Sequence, residues 1–288
     1  MSAIRHVAVI GAGTMGHGIA YVSALNGYRV TLGDADPATL ETGLARIRAA
    51  FEAAIERRKC TVEQRDDALR RLMTAQALPD VVVGADLVIE AVPERLDLKR
   101  HVLAETERHV RPETIIASNT SSLSISSIAD ALERRDRVVG LHFFNPVPAM
   151  RLVEIVRGSD TSDATIAAGR DFATSLGKTA IVVRDSPGFA TSRLGVVLGL
   201  EAIRMLEQGV ASAEDIDRAL ELGYNHPVGP LRLTDIVGLD VRLAIAEHLY
   251  ETLKVETYRP PALLVRMVRE GKLGKKSGEG FYRWEVES

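Results

Sequence analysis

The stretch of residues 7–34 constrains the fold of this chain more than any other. A short apolar run at positions 7–10 leads into Gly11-Ala12-Gly13-Thr14-Met15-Gly16, and apolar residues at helical spacing follow. A second run at positions 29–32 ends at Gly33-Asp34. A strand, a G-x-G-x-x-G turn, a helix and a second strand in this order distinguish a dinucleotide-binding loop from a chance glycine turn. We therefore predict an α/β fold that begins with a Rossmann-type unit.

Each part of the loop has a predicted contact with a dinucleotide. Gly11 permits the tight turn, Gly13 lets the backbone approach a pyrophosphate, and Gly16 lets the helix pack closely on the strand. The phosphates would then meet the positive end of the helix dipole. Asp34 ends the second strand, where its carboxylate can accept a hydrogen bond from an adenine-ribose 2′-hydroxyl and would repel a 2′-phosphate. We predict NAD as the cofactor rather than NADP.

Composition excludes several classes of function. The 288 residues carry a net charge of −3, which gives no argument for binding nucleic acid or an anionic membrane. No apolar run approaches the length of a membrane span, and no cluster has metal-ligand spacing. Cys60 is the only cysteine, which favours a reducing compartment, and we predict the cytoplasm. The neighbouring Arg58 and Lys59 could lower the pKa of Cys60, although an inert thiol is the favoured interpretation.

Residues 37–78 form a long, charged segment that favours helix. Thr61 and Gln64 have the spacing of a capping box, so the segment is predicted to be a helical hairpin inserted into the fold. Its first arm is rich in arginine. These cations are either a solvated helix face or an arm that binds a polyphosphate other than the dinucleotide.

Further strands are predicted at 86–92, 114–118 and 137–141, with helices between them. Short apolar strands that alternate with helices indicate a parallel sheet covered on both faces. Polar residues follow each strand: Glu94, then Asn119 to Ser122, then His142 and Asn145. Ligands bind at the carboxyl edge of such sheets, so we expect these side chains to line one site.

His142 and Glu154 are the predicted catalytic pair. Two prolines between them enforce a turn, and a strand-like RLVEIV follows, so the returning chain can bring Glu154 to His142. A carboxylate on one ring nitrogen fixes the tautomer and leaves the other nitrogen to take a proton from an alcohol. Next to a nicotinamide, this arrangement indicates alcohol oxidation.

Six segments in order carry a family resemblance: VIGAGTMGHGIA, LVIEAVPE, ASNTSSL, GLHFFNPVPAMRLVE, DSPGF and KKSGEGFYRW. They cover nearly the whole chain and resemble the 3-hydroxyacyl-CoA dehydrogenase family, in particular its bacterial 3-hydroxybutyryl-CoA members. The resemblance implies that His142 is the base, that Glu154 orients it, and that Ser121 contacts the 3-oxygen of the substrate. It places around the cofactor the loop residues Gly11, Gly13, Thr14, Met15 and Gly16, with Asp34, Glu94, Lys99, Asn119, Ser121, Asn145 and Lys276.

The resemblance also implies the remaining contacts. The hairpin of relatives touches CoA, and Arg57 stands where many of them carry lysine, which favours the polyphosphate-binding interpretation of the arm. Many relatives have an active-site Asn after PGF, whereas this chain has Ser192 in the sequence Gly-Phe-Ala-Thr-Ser. Ser192 is the candidate replacement, and its shorter side chain puts the rate and the acyl-chain preference in question.

Two domains are predicted. Residues 1–185 form the NAD-binding Rossmann domain, and residues 186–288 form an all-helical domain that completes the substrate site and, by the resemblance, forms a homodimer. The predicted reaction is the NAD-dependent, reversible oxidation of a short-chain (S)-3-hydroxyacyl-CoA to the 3-oxoacyl-CoA. Two alternatives are a dehydrogenase of a non-CoA 3-hydroxy compound, gulonate- or carnitine-like, and a non-catalytic NAD-binding protein of crystallin type.

Overall fold

A computed structural model describes residues 4–285 of the chain. The chain divides into two compact units, one ending at Ser186 and the other beginning at Pro187. The predicted class, an α/β sheet unit followed by a helical unit, is confirmed. The functions assigned to the two predicted domains stay predictions. Among residues 4–285, no helix is long and apolar enough to cross a membrane.

The first unit is built on one eight-stranded sheet. Its strands are β1 (His6–Ile10), β2 (Arg29–Gly33), β3 (Leu72–Ala75), β4 (Leu87–Glu90), β5 (Ile115–Ser118), β6 (Val138–Phe143), β7 (Leu152–Arg157) and β8 (Thr179–Arg184). The order across the sheet is β3-β2-β1-β4-β5-β6-β7-β8, and every pair is parallel except β6 with β7. The strand order reverses between β1 and β4, and doubly wound sheets bind ligands at such a switch point.

Helices cover both faces of this sheet. They are α1 (Gly16–Leu25), α2 (Pro37–Glu56), α3 (Val62–Arg71), α4 (Leu78–Val82), α5 (Leu96–His109), α6 (Ile125–Ala129) and α7 (Asp163–Ser175), with a 3₁₀ turn at Arg135–Arg137. Successive side chains of β1 point to opposite faces of the sheet, and each face carries its own apolar core. Val7 and Val9 pack into one apolar core, whereas Ala8 and Ile10 pack into the core on the opposite face.

The helical hairpin forms as predicted but is shorter. The α3 helix begins at a capping box in which Thr61 accepts from the backbone of Gln64 and the Gln64 side chain accepts from the backbone of Thr61. The hairpin ends at Arg71, so its predicted extension to residue 78 was wrong. Residues 72–75 are β3 instead, paired with β2 at the sheet edge. This strand is half-exposed and has no apolar pattern of its own. It is extended because it lies at the edge of the sheet and pairs with β2.

The second unit is helical. It contains α8 (Thr191–Glu207), α9 (Ala213–Gly223), α10 (Pro230–Val237), α11 (Leu239–Leu253) and α12 (Ala262–Arg269), with 3₁₀ turns at Glu256–Tyr258 and Lys275–Ser277. Its apolar core includes Val196 and Leu200 of α8 and Leu249 of α11. The chain after α12 is held by buried Asp235, which accepts from the backbone N–H groups of Phe281 and Tyr282.

Candidate active site

The glycine loop adopts the geometry that its sequence predicts. Gly11 has φ of +100° and donates its N–H to the carbonyl of Gly33 at 2.7 Å, which ties the loop to β2. A Cβ on Gly16 would lie 1.7 Å from the carbonyl oxygen of Gly11, so the start of α1 can approach the loop only with glycine. A Cβ on Gly13 would meet no protein atom within 4 Å. The backbone is therefore tightly packed at Gly16, whereas there is free space beside Gly13.

A cavity of about 550 Å³ opens beside this loop, and we call it the glycine-loop cavity. The predicted residues that line it are Gly11, Gly13, Thr14, Met15 and Asp34. Asp34 accepts from the N–H of Ala12 at 2.8 Å and from the N–H of Asp36 at 3.0 Å. The carboxylate is thus fixed by two backbone donors at the end of β2, and it retains acceptor capacity for a ligand hydroxyl.

A second cavity of about 330 Å³ is lined by His142 and Ser121, two of the four predicted catalytic residues, and we call it the His142 cavity. Its predicted lining residues are Met15, Glu94, Lys99, Asn119, Ser121, His142 and Asn145. The two cavities share Met15, Ala91 and Val92 and therefore adjoin. A ligand that extends from the glycine loop to His142 would pass from one cavity into the other.

His142 and Glu154 lie opposite each other in the antiparallel pair β6–β7. Nδ1 of His142 is 2.8 Å from Oε2 of Glu154, and both residues are buried, with Glu154 completely inaccessible. The predicted contact is confirmed. A buried carboxylate at Nδ1 places the proton on that nitrogen in the neutral ring, which makes Nε2 the proton-accepting atom.

Asn119 connects the ends of two neighbouring strands. It follows β5, and its Oδ1 accepts from the backbone N–H of Phe143 at 2.9 Å, at the end of β6. Because the carbonyl oxygen is engaged in this way, the amide NH₂ is the group that Asn119 presents to the cavity as a donor.

Glu94 binds the loop that follows β5. Its Oε1 accepts from the Thr120 hydroxyl at 2.5 Å and from the N–H groups of Ser121 and Ser122 at 3.0 and 3.2 Å. Burial acts to raise the pKa of Glu94, but these hydrogen bonds and Lys99 outweigh it and hold the pKa below its ordinary value. Glu94 is therefore ionised and positions Ser121 on the cavity wall.

Glu90 is a site residue that sequence reasoning missed. It ends β4, is fully buried, and accepts from Lys99 Nζ at 2.6 Å. Burial raises the pKa of Glu90, against the opposing effect of the Lys99 ammonium. A signal was present in the sequence: an acidic residue that ends a buried four-residue strand requires a cationic or hydrogen-bonding partner.

Five predicted residues do not line these cavities: Gly16 and Glu154, described above, and Arg57, Ser192 and Lys276. Arg57 is exposed at the C-terminal end of α2. Ser192 is half-buried in the first turn of α8 in the second unit, and Lys276 of the same unit donates to Asp240 at 2.6 Å. The roles given to these three residues stay predictions.

Cys60 has no activated thiol. It is buried, and burial raises the pKa of its thiol, so the alternative of a lowered pKa was wrong. Within residues 4–285, no group of three or more His, Cys, Asp or Glu residues is placed to hold a metal ion.

The residues of both units match one protein family. The models of the 3-hydroxyacyl-CoA dehydrogenase NAD binding domain and C-terminal domain match residues 6–186 and 188–284. The chain belongs to the 3-hydroxyacyl-CoA dehydrogenase family. It is an NAD-dependent oxidoreductase of that family, as the glycine loop and the His142–Glu154 pair predict.

Individual relatives are similar over almost their whole length. A 3-hydroxybutyryl-CoA dehydrogenase of Mycobacterium tuberculosis is 46% identical over 98% of this chain and 99% of its own. The human mitochondrial hydroxyacyl-coenzyme A dehydrogenase is 41% identical over 98% of this chain and 92% of its own. The crystal structure of (S)-3-hydroxybutyryl-CoA dehydrogenase PaaH1 from Ralstonia eutropha superposes with a TM-score of 0.95 at 43% identity, covering 98% of this chain and 100% of that one. These similarities do not favour the two alternative functions.

Proposed function

We propose that this enzyme interconverts (S)-3-hydroxybutyryl-CoA and acetoacetyl-CoA with NAD, and that His142 is the general base. The observation that carries the proposal is the buried 2.8 Å contact between His142 and Glu154 on the wall of a cavity that adjoins the glycine loop. The names of the similar proteins support a short acyl-CoA substrate.

In the oxidation direction, the 3-hydroxyl proton passes to Nε2 of His142. The electron pair of the O–H bond forms the C3=O bond as hydride leaves C3. NAD, when bound, supplies the hydride acceptor. Glu154 stabilises the imidazolium that forms, and general-base assistance of this kind contributes about 10²–10⁴ in rate. Reduction follows the same path in reverse.

The cavity wall suggests how the other groups act. The Ser121 hydroxyl is proposed to donate to the 3-oxygen, on a loop that Glu94 holds in place. Asn119 would present its NH₂ group to the nicotinamide half, since its oxygen is engaged by Phe143. Asp34 and the loop from Gly11 to Gly16 are proposed to bind the adenine ribose and the pyrophosphate.

The CoA contact is proposed for Arg57. It is exposed at the end of α2, where the side chain can reach a solvated phosphate. Ser192 is proposed to face the substrate and Lys276 the cofactor, both on the strength of the family resemblance. Replacing Arg57 by Glu should raise KM for acetoacetyl-CoA without changing the affinity for NADH. An unchanged KM would show that Arg57 does not contact CoA.

We also propose that the enzyme is a homodimer formed through its helical unit. Leu194 and Leu198 of α8 and Ile236 of α10 are between 43% and 66% exposed, which is unusual for large apolar side chains on neighbouring helices. Light scattering coupled to size exclusion tests this, and a monomeric mass would refute it. The single cysteine supports a location in the cytoplasm.

The test of the reaction is NADH oxidation on addition of acetoacetyl-CoA, with acetoacetate as the control that lacks CoA. Rapid turnover with the thioester alone is expected. His142→Ala should abolish turnover while the protein still binds NADH. Equal turnover of acetoacetate would refute the CoA substrate.

A further inference from the structure

An acid-base cluster lies at the wall of the His142 cavity, with Glu94 and buried Lys99 on the wall and buried Glu90 behind them. We call it the Glu90 cluster, and it consists of Glu90, Glu94 and Lys99. The Lys99 ammonium donates to Glu90 Oε1 at 2.6 Å and to the carbonyl of Val92 at 3.2 Å, and it lies 3.3 Å from Glu94 Oε2. An ammonium has three N–H donors, and three protein oxygens surround this one. Two of these donors are engaged by Glu90 and Val92, and the third faces Glu94, so Lys99 is held in place by its own protein partners.

The contacts of Glu90 show that its carboxylate is ionised. The N–H of Val92 donates to Oε1 at 2.7 Å, and the hydroxyl of Ser118 donates to Oε2 at 2.7 Å. Lys99 donates to Oε1 as well, at 2.6 Å, so an ammonium and a backbone N–H meet the same oxygen of Glu90. A cation at this distance favours the ionised form of a carboxyl group, which accepts without donating.

The three charges leave one net negative charge. Glu90 and Glu94 are both ionised, and Lys99 is the only Lys or Arg among the described residues that line the His142 cavity. Without Glu90, Lys99 would neutralise Glu94 and the cluster would be neutral. Glu90 therefore sets the net charge of this cluster, although it is itself inaccessible.

We propose that the Glu90 cluster is a positioning and charge-setting element that favours the oxidised over the reduced nicotinamide, with Glu90 as the residue responsible. The nicotinamide ring carries a positive charge in NAD⁺ and none in NADH, whereas the rest of the cofactor is the same. One net negative charge beside the ring therefore lowers the Kd of NAD⁺ relative to that of NADH. The inference rests on the proposed placement of the nicotinamide in the His142 cavity.

The test is the ratio of the Kd of NAD⁺ to the Kd of NADH, measured by calorimetry and by quenching of NADH fluorescence in the absence of substrate. Glu90→Gln makes the cluster neutral and should raise the ratio by about threefold to tenfold, as expected for one charge several ångströms away in a partly solvated site. Glu94→Gln removes one negative charge at the exposed member of the cluster, so it should also raise the ratio.

The decisive variant is the double replacement Glu90→Gln with Lys99→Met. It leaves only Glu94 charged, so the cluster again carries one net negative charge and the ratio should return to that of the unchanged enzyme. If Lys99 instead binds the cofactor by a direct hydrogen bond, the double variant will bind both forms more weakly than Glu90→Gln alone.

Asp67→Asn is the matched control, because it removes one negative charge from α3 at a residue that lines neither cavity. Its ratio should not change. Equal weakening of NAD⁺ and NADH in Glu90→Gln, or no recovery in the double variant, would overturn the proposal. If Glu90→Gln fails to fold, Glu94→Gln and its ratio decide the question. If the unchanged enzyme binds neither form of the cofactor, the proposed function fails instead.

Discussion

Two alanine substitutions in the glycine loop should have opposite effects, although they lie only three residues apart. At Gly16, the new Cβ would lie 1.7 Å from the carbonyl oxygen of Gly11 and 2.9 Å from its carbonyl carbon. Both atoms are backbone, so the loop or α1 must shift. Overpacking of this severity costs about 3 kcal/mol or more. For a unit of this size that corresponds to a fall in Tm of about 6–12 °C.

At Gly13, no protein atom lies within 4 Å of the added Cβ, and the residue is not among the glycines with positive φ. Gly13→Ala should therefore keep or slightly raise Tm, since alanine restricts the unfolded chain by about 0.4–1 kcal/mol. The cofactor pyrophosphate is proposed to occupy this space. Losing one charged hydrogen bond there costs about 1.5–3 kcal/mol, or about 10- to 150-fold in the Kd of NADH.

Thermal melting and NADH fluorescence titration on the two variants measure both quantities. Gly16→Ala should have a lowered Tm, whereas Gly13→Ala should keep its Tm and bind NADH more weakly. A Gly13→Ala variant that binds NADH normally would show that the backbone at Gly13 is not the point of closest approach. A Gly16→Ala variant with unchanged Tm would refute the steric argument.

Three further predictions concern buried polar groups. Glu154→Gln, which keeps the shape but removes the charge 2.8 Å from His142, should lower kcat by about 10- to 150-fold while leaving the Kd of NADH unchanged; a kcat within twofold of the unchanged enzyme would contradict the orienting role. Burial lowers the pKa of His6 below 6.5, and Arg29 donates to its Nδ1, so only the unfolded state takes up a proton as pH first falls below 6.5. Stability should therefore decline in that window in urea titrations, and His6→Gln should flatten the decline. Lys178, buried, donates to the carbonyls of Val147 and Met150 at 2.7 Å each, so Lys178→Met should lower the free energy of unfolding by about 1–3 kcal/mol for each carbonyl left unpaired, with Lys178→Arg as the partial rescue.

The parts of the site that the sequence predicts are those in which one local pattern determines the geometry. The glycine loop is fixed by its own turn and the flanking strands, and His142 with Glu154 by a turn between two short strands. Glu90 was missed because a strand pattern gives the burial of a residue without its partner, and Lys99 approaches from the following helix.

The edge strand β3 was missed for a different reason. Its residues Leu72 to Ala75 are too exposed to give an apolar run, and only pairing with β2 specifies them. Ser192, Lys276 and Arg57 belong to a third group. Their predicted roles depend on a ligand or on contacts over long distances along the chain, which no local pattern encodes.

The position of Glu154 opposite His142 has a consequence for how this enzyme can vary. The two residues are paired by the hydrogen-bond ladder of β6 and β7, so their separation is set by the sheet and not by the connection between the strands. Those residues of the connection 144–151 that neither line the His142 cavity nor hold Lys178 can therefore change while the catalytic pair keeps its geometry. A shift of pairing by one residue would instead turn the Glu154 side chain to the opposite face of the sheet. The proton-transfer pair thus depends on the pairing of β6 with β7, and changes within the connection leave it in place as long as that pairing is kept.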